Sequence, residues 1–320
     1  MTILDAIILG IVEGITEYLP VSSTGHLVLT SALLGLDQGE SARSVNALMI
    51  IIQGGAILAV LGLYRARVAS MIKGALGKDP RGLKLLINIS IAFAPAALLG
   101  VLLDDWIEQH LFHALPVLIA LGAGGVLMIW IGRGPKSLQS EASLPDNVVD
   151  SLKAMELPKK TKKSPVKRVQ NKPHPGMDLA DLAWTAALFI GSMQLLAMWP
   201  GVSRSMITIV AAMLVGLRPA RAAEFSFLLG LPTLGGACVY KLLKNVTSDQ
   251  PNLFVELGWL NVVVGILVAT IAAVIAVKWL VNYLNKHGLA VFGWYRIGLT
   301  ILLAALLITG VISLEPAAGS

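Results

Sequence analysis

This 320-residue chain has little charge and almost no cysteine. Only 14% of its residues are charged, and its one cysteine, Cys238, lies in an apolar run. A single cysteine cannot form an internal disulfide, so we expect a packed side chain there and no redox chemistry. The segment Met1–Leu9 contains Asp5 but neither lysine nor arginine, so a cleaved signal peptide is not expected.

Apolar sequence dominates the chain instead. Hydrophobic residues make up 56% of it, the mean hydropathy is +0.76, and apolar runs long enough to cross a bilayer recur throughout. This composition predicts an all-α polytopic membrane protein and disfavours a soluble protein with an unusually large core. The net charge of +6 lies mostly between the apolar runs, where basic residues set topology. We therefore expect membrane lipids as partners and no nucleic acid.

Six apolar stretches are long enough to be transmembrane helices. They are residues 45–64, 84–103, 115–132, 224–244, 259–280 and 291–313. Two further stretches are interrupted: residues 3–36 break at Pro20, and residues 179–217 break at Pro200-Gly201. Proline cannot donate to the helix ladder and glycine permits unusual dihedral angles, so each of these stretches is predicted to form a re-entrant helical hairpin.

The interrupted stretches belong to an internal repeat. Three landmarks recur 180 or 181 residues later, namely Pro20 as Pro200, Ser23 as Ser203, and Gly54-Gly55-Ala56 as Gly235-Gly236-Ala237. The repeat divides the chain into residues 1–132 and 179–320, each with one hairpin and three spans. Because three is odd, the two halves must enter the bilayer in opposite senses, which is an inverted-topology repeat.

Loop charges predict the orientation of the spans. The connection after the first span is basic and the next is acidic, with Arg65, Arg67, Lys73, Lys78, Arg81 and Lys84 in the first and Asp104, Asp105 and Glu108 in the second. Residues 133–178, rich in lysine and proline, are predicted to be a disordered cytoplasmic linker between the halves. The first hairpin then enters from outside and the second from inside, so that their tips meet near the midplane.

The first hairpin carries the sequence EGITEYLPVSSTGH at residues 13–26. Charged groups at membrane depth cost about 2.5 to 3.5 kcal/mol each, so a functional site is expected here. Glu13 and Glu17 share one helix face, and a divalent cation between them would relieve both their repulsion and their desolvation. Mg²⁺ or Ca²⁺ is favoured because the ligands are oxygens. The alternative is a polar pair that reaches water at the outer interface.

After Pro20 come Ser22, Ser23, Thr24, Gly25 and His26. Helix capping explains one or two of the hydroxyls but not the imidazole. A histidine in the first turn of a helix that starts inside the membrane lies beside free backbone N–H groups, which form an anion site. The pattern predicts that His26 is catalytic and that its neighbours bind substrate.

The second hairpin carries PGVSRSMIT from Pro200 to Thr208. It offers the hydroxyls of Ser203, Ser205 and Thr208, the positive end of a helix dipole, and Arg204, whose planar fork matches two phosphate oxygens. The alternative for Arg204 is a structural pair with Glu13 or Glu17. Two carboxylates, one guanidinium, a divalent cation and two helix ends leave a positive site, which suits the diphosphate head of a lipid.

The motifs EGITEYLPVSSTGH and PGVSRS, with IIQGGAILAV and EFSFLLGLPT, resemble the bacitracin-resistance type of undecaprenyl-diphosphate phosphatase over nearly the whole chain. The resemblance implies that undecaprenyl diphosphate is hydrolysed to the monophosphate and phosphate, in the bacterial inner membrane, at a site open to the periplasm. It places the paired glutamates, serine, histidine and arginine of that family on Glu13, Glu17, Ser23, His26 and Arg204. The basic linker at 133–178 is longer than the family pattern.

Several mechanistic alternatives stay open at the sequence level. Ser23 is the preferred nucleophile with His26 as its base, but attack by His26 itself or by a metal-bound water is also compatible with the motifs. A polyprenyl-phosphate transporter or flippase is the rival function, because inverted repeats with broken helices are common in transporters. The oligomeric state is open, with a homodimer among the alternatives.

Overall fold

A computed structural model of the protein describes residues 1–36, 39–111, 113–133, 178–247 and 257–310. Within these ranges the chain forms helices joined by short connections, and no strand occurs among them. The predicted linker at 133–178 falls outside the described residues except for its two end positions. The all-helical fold class predicted from the sequence is confirmed.

The helices follow one another closely along the chain. Before the linker they are α1 (Ile3–Thr16), α2 (Ser23–Leu33), α3 (Gly39–Leu63), α4 (Arg65–Ala75), α5 (Pro80–Leu111) and α6 (Ala114–Gly132). After it they are α7 (Trp184–Gln194), α8 (Arg204–Leu214), α9 (Pro219–Thr247), α10 (Trp259–Leu284) and α11 (Ala290–Ile308). Short 3₁₀ turns at Leu179–Asp181 and Leu195–Met198 flank α7.

Five of these helices, α5, α6, α9, α10 and α11, contain segments that are long and apolar enough to cross a membrane. They coincide with five of the six predicted spans. The sixth, residues 45–64, falls in α3, whose apolar part Leu48–Leu63 is followed by α4 at a bend of 81°. Counting that bent pair as one span gives six. The chain is therefore a multi-pass membrane protein.

The structure corrects the sequence analysis at two connections. The basic connection after the first span is not an irregular loop, because Arg65–Ala75 forms α4. The acidic residues Asp104, Asp105 and Glu108 lie within α5, which continues to Leu111. In both places a helix with polar residues continues beyond the apolar run, and hydropathy alone cannot mark where the helix ends.

An ion-pair network fastens α4 to the other half of the chain. Arg67 donates through Nε to Glu224 of α9 at 2.9 Å and through Nη2 to Asp178 at 3.1 Å. Arg221 donates to the other oxygen of Glu224 at 2.6 Å. The network therefore joins α4, α9 and the segment that leads into α7.

The first helix of each predicted hairpin packs against a helix from the opposite half. Helix α1 lies along α10, and α7 lies along α5. Helices α3 and α9 also contact each other, as do α6 and α11. Exchanging the two halves thus exchanges the α1–α10 and α7–α5 pairs, and the first helix of each half packs on a helix of the other.

Glycines allow these helices to approach closely, as is common between helices in membranes. A Cβ built on Gly10 of α1 would lie 2.9 Å from the carbonyl oxygen of Gly265 in α10. A Cβ on Gly191 of α7 would overlap the carbonyl oxygen of Ala92 in α5. The atoms met at both positions are backbone, so they cannot move aside without shifting a helix.

We expect Gly191→Ala to lower the free energy of unfolding by about 1–3 kcal/mol, because the added methyl group forces α7 away from α5. Gly100→Ala in α5 is the matched control, since a Cβ there meets no atom within 4 Å. The control should be neutral or more stable by up to about 1 kcal/mol. Thermal unfolding of both purified variants in detergent checks this. Equal melting temperatures would refute the close α5–α7 contact.

Candidate active site

The chain breaks at both positions predicted from proline and glycine. Helix α1 ends before Pro20 and α2 begins at Ser23, while α8 begins at Arg204, just after Pro200-Gly201. We call the two segments that lead into α2 and α8 the first and second tips, residues 20–26 and 200–206. The sequence analysis therefore located both interruptions correctly.

Each tip contains a serine in the left-handed region, Ser22 with φ 75° and Ser203 with φ 70°. They are the only non-glycine residues with positive φ in the described ranges. Each directly precedes its helix as the N-cap residue. The structure therefore pairs Ser203 with Ser22, one residue before the Ser23 chosen in the sequence analysis. Such backbone strain costs about 1–3 kcal/mol and is concentrated at functional sites.

Glu17 joins the two tips. Its Oε1 accepts a hydrogen bond from Nη2 of Arg204 at 3.0 Å, and its Oε2 accepts one from the hydroxyl of Ser23 at 2.9 Å. The two charged side chains are only 6% and 9% exposed. The alternative considered for Arg204, a pair with a glutamate, is present in this structure, and the partner is Glu17.

Arg204 has one nitrogen atom without a hydrogen-bond partner among the described residues. Its Nη1 donates to the carbonyl oxygen of Ser226 at 3.1 Å, and its guanidinium lies 5.7 Å from the ring centroid of Tyr18. Space for the group is left by Gly230, where a Cβ would lie 2.9 Å from Nη1. The buried Nε has no hydrogen-bond partner within the described part of the chain. An unpaired N–H on a buried cation is suited to an anionic ligand.

Glu13 lies one turn before Glu17 on α1 and is 1% exposed. Its Oε1 is buried without a partner in the described residues. A carboxylate oxygen can only accept, so a cation would satisfy it. Among the residues that the structure describes, no group of three or more histidine, cysteine, aspartate or glutamate side chains could hold a metal ion. Two glutamates with phosphate and water oxygens are nevertheless an ordinary environment for Mg²⁺.

A cavity of about 170 Å³ lies between the two tips. It is lined by Glu17, Ser22, Ser23, Thr24, Gln53, Ala197, Pro200, Gly201, Ser203, Arg204 and Leu234. The N-termini of α2 and α8 thus both border the same cavity. Their free backbone N–H groups and helix dipoles favour a negatively charged ligand there.

His26 does not line this cavity. Its Nδ1 lies 2.7 Å from the carbonyl oxygen of Ser22, and its Nε2 lies 2.6 Å from the hydroxyl of Tyr295 in α11. The hydroxyl of Ser23 instead donates to Glu17. In this structure the residue in contact with Ser23 is therefore Glu17, and the Ser23–His26 contact expected from the sequence is not formed.

Three other predicted site residues lie behind the cavity. The hydroxyl of Ser205 donates to the carbonyl oxygen of Leu19 at 3.0 Å, which connects the second tip to the residue just before the first tip. Thr208 is fully buried and bonds to the carbonyl oxygen of Arg204 at 2.7 Å. Gly25 is buried in the first turn of α2. None of the three lines the cavity, so their position is that of supporting residues.

Sequence reasoning missed several side chains at the site. Gln53 of α3 lines the cavity, and Ser226 accepts from Arg204. Arg296 of α11 is 0% exposed and lies inside the predicted span 291–313. The rule that drew attention to Glu13, a charged residue in an apolar run, applies equally to Arg296. The motifs IIQGGAILAV and EFSFLLGLPT contain Gln53 and Ser226, but neither residue carries a charge that would single it out within its motif.

We expect Glu17→Gln to lower the free energy of unfolding by about 3–5 kcal/mol, because it leaves Arg204 buried without its counter-charge. Adding Arg204→Gln should recover part of that loss. The control is Arg221→Gln, because the Arg221 side chain is 42% exposed in its pair with Glu224 and such an exposed pair is worth roughly 0–1 kcal/mol. Chemical unfolding in detergent is measured for the wild type, Glu17→Gln, Arg204→Gln, the double variant and the control. Strictly additive losses at Glu17 and Arg204 would contradict a coupled pair.

Known proteins are similar to this chain over most of its length. The family described as bacitracin resistance protein BacA matches residues 6–302. An undecaprenyl-diphosphatase of Sorangium cellulosum is 42% identical over 92% of this chain and 83% of its own length. Undecaprenyl-diphosphatase 1 of Stutzerimonas stutzeri is 37% identical over 99% and 98%, and that of Cereibacter sphaeroides is 38% identical over 96% and 97%.

Proposed function

Because this chain belongs to the bacitracin resistance protein family, we propose that it is a membrane phosphatase that hydrolyses undecaprenyl diphosphate to undecaprenyl phosphate and inorganic phosphate. The observation that carries the proposal is the contact of Glu17 with both Ser23 and Arg204 beside a cavity bordered by two helix N-termini. A hydroxyl, a proton acceptor and an anion site meet there, as phosphoryl transfer requires.

The anion site suits the diphosphate head of a lipid. The N–H groups at the starts of α2 and α8 and the unpaired Nε of Arg204 supply donors from two sides. Charge accumulates on the phosphate oxygens as the bond to the leaving group loosens, so these fixed donors stabilise the transition state. The hydroxyls of Ser22, Thr24 and Ser203 also line the cavity and can complete the hydrogen bonding.

Ser23 is the proposed nucleophile. Its Oγ forms a bond to the terminal phosphorus while the bond from that phosphorus to the bridging oxygen breaks, which releases undecaprenyl phosphate. The hydroxyl proton passes to Glu17, to which it is already bonded. Water then hydrolyses the phosphoserine, restores the hydroxyl and releases inorganic phosphate. Glu17 thereby takes the base role that the sequence analysis gave to His26.

Glu13 and Glu17 are the proposed ligands of a divalent cation, Mg²⁺ or Ca²⁺. The unpartnered Oε1 of Glu13 supports this assignment. When bound, the cation would neutralise part of the charge on the diphosphate.

We further propose that the protein lies in the bacterial inner membrane as an inverted-topology repeat of two hairpins and six spans, with its site open to the periplasm. The exchange-symmetric packing of α1 on α10 and α7 on α5 supports the repeat, as do the matching dihedral angles of Ser22 and Ser203. The rival transporter function shares the anion site, but the related proteins compared above are named as phosphatases.

Ser23→Ala should lower phosphate release from a prenyl diphosphate by a factor of about 100 or more, because the nucleophile is lost. Ser31→Ala is the control on the same helix, since the Ser31 hydroxyl bonds only to the carbonyl oxygen of Leu27 among its described contacts. Purified protein in detergent with Mg²⁺ or Ca²⁺ is assayed for phosphate release. Phosphate trapped on a residue other than Ser23 would refute its role, and an inactive wild type would favour the transporter.

Chelation should abolish phosphate release, and Mg²⁺ or Ca²⁺ should restore it. Added cation should also raise the melting temperature of the wild type, because it compensates the buried carboxylates. Glu13→Gln should remove that thermal shift, whereas Asp181→Asn, at an exposed position, should keep it. A thermal shift that survives Glu13→Gln would contradict the assigned ligand.

A further inference from the structure

Arg296 of α11 is a fully buried cation that bonds only to carbonyl oxygens among the described contacts. Its Nε donates to Leu121 at 3.1 Å, its Nη1 to Val202 at 3.2 Å, and its Nη2 to Ala120 at 3.1 Å and Gly201 at 2.7 Å. Leu121 and Ala120 belong to α6, whereas Gly201 and Val202 belong to the second tip. Arg296 therefore fixes the second tip to the α6–α11 pair.

This contact also orients the donors of the second tip. In a planar trans peptide the C=O and the following N–H point in opposite directions. Because the carbonyl of Val202 points to Arg296, the N–H of Ser203 points away from Arg296, and Ser203 lines the cavity. The strained φ of Ser203 persists only if the surroundings hold it, and Arg296 is one of the groups that do so.

Tyr295, the residue before Arg296, orients the backbone of the first tip through its contact with His26. The Tyr295 hydroxyl lies 2.6 Å from Nε2 of His26, and the two rings stack with centroids 5.6 Å apart. The carbonyl of Ser22 can only accept, so the hydrogen of the ring lies on Nδ1. In the neutral ring Nε2 then accepts from Tyr295. The Ser22 carbonyl is thus held, and the N–H of Ser23 points the opposite way.

We propose that Tyr295 and Arg296 are a positioning pair that presents the backbone N–H groups of Ser23 and Ser203 to the diphosphate head of the substrate. This inference rests on the proposed function. His26 acts within it as the connection between Tyr295 and the first tip. Two adjacent residues of one helix, α11, thereby set the geometry of two helix N-termini from opposite halves of the chain.

If Tyr295 and Arg296 position these N–H groups, substituting either residue should lower the affinity of the protein for a diphosphate without a lipid tail. Inorganic diphosphate is the probe, and its binding to the intact protein in detergent is measured by thermal shift and by inhibition of phosphate release. Tyr295→Phe keeps the stacked ring but removes the hydroxyl, and Arg296→Lys keeps the charge but cannot reach four carbonyls. Each should weaken diphosphate binding about tenfold or more, because an N–H group that is turned away loses its hydrogen bond to a charged phosphate oxygen.

Controls separate positioning from plain stability. Trp294→Phe, a substitution of the exposed neighbouring ring, should bind diphosphate like the wild type. Farnesol, which lacks the charged head, should shift the melting temperature of wild type and variants equally. With farnesyl diphosphate as the substrate, Tyr295→Phe and Arg296→Lys should both raise KM.

The proposal is overturned if folded Tyr295→Phe binds inorganic diphosphate as tightly as the wild type, whatever happens to its melting temperature. Tyr295→Phe alone decides the question if Arg296→Lys does not fold. Failure of the proposed function is a separate result. A wild type that binds diphosphate but releases no phosphate would refute the phosphatase and leave the positioning pair intact.

Discussion

The structure depends on one buried ion pair, in which Arg204 of the second tip donates to Glu17 at the end of α1. Two charges removed from solvent are costly unless they satisfy each other and their remaining hydrogen-bond capacity is also met. Here the Ser23 hydroxyl and the Ser226 carbonyl meet part of that capacity, and Glu13 Oε1 and Arg204 Nε are left unpaired among the described residues. The unpaired acceptor and the unpaired donor are the groups expected to meet a cation and an anion.

Helix packing brings the charged pair together. Glycines at the α1–α10 and α5–α7 contacts let each hairpin arm lie against the backbone of a helix from the other half. A third glycine-mediated contact joins α6 to α11, where a Cβ on Gly125 would lie 2.9 Å from the Gly293 carbonyl oxygen. Helix α11 is thereby fixed against α6 next to both tips. The site is thus assembled by both halves, and neither half could form it alone.

Much of the fold and part of the site could be predicted from the sequence. Pro20 and Pro200-Gly201 marked both breaks because proline and glycine act locally on the backbone. Apolar runs located the long helices, and Glu13, Glu17 and Arg204 stood out because charge is costly in such runs. The extent of α4 and α5 was missed, since a polar sequence can continue a helix outside the membrane. The sequence could not show that Ser23 contacts Glu17 and not His26, because this depends on side-chain rotamers. It also depends on Tyr295 of α11, which contacts His26 from nearly 270 residues away in the chain.

The central claim is that two helix N-termini from opposite halves receive one diphosphate between them. An experimental structure with a non-hydrolysable prenyl diphosphate analogue and Mg²⁺ or Ca²⁺ tests it most directly. We expect phosphate oxygens within hydrogen-bond distance of Arg204 and of the backbone N–H groups of Ser23 and Ser203, with the cation on Glu13 and Glu17. A head group bound outside the cavity between the tips, with Glu17 and Arg204 contacting only each other, would contradict it.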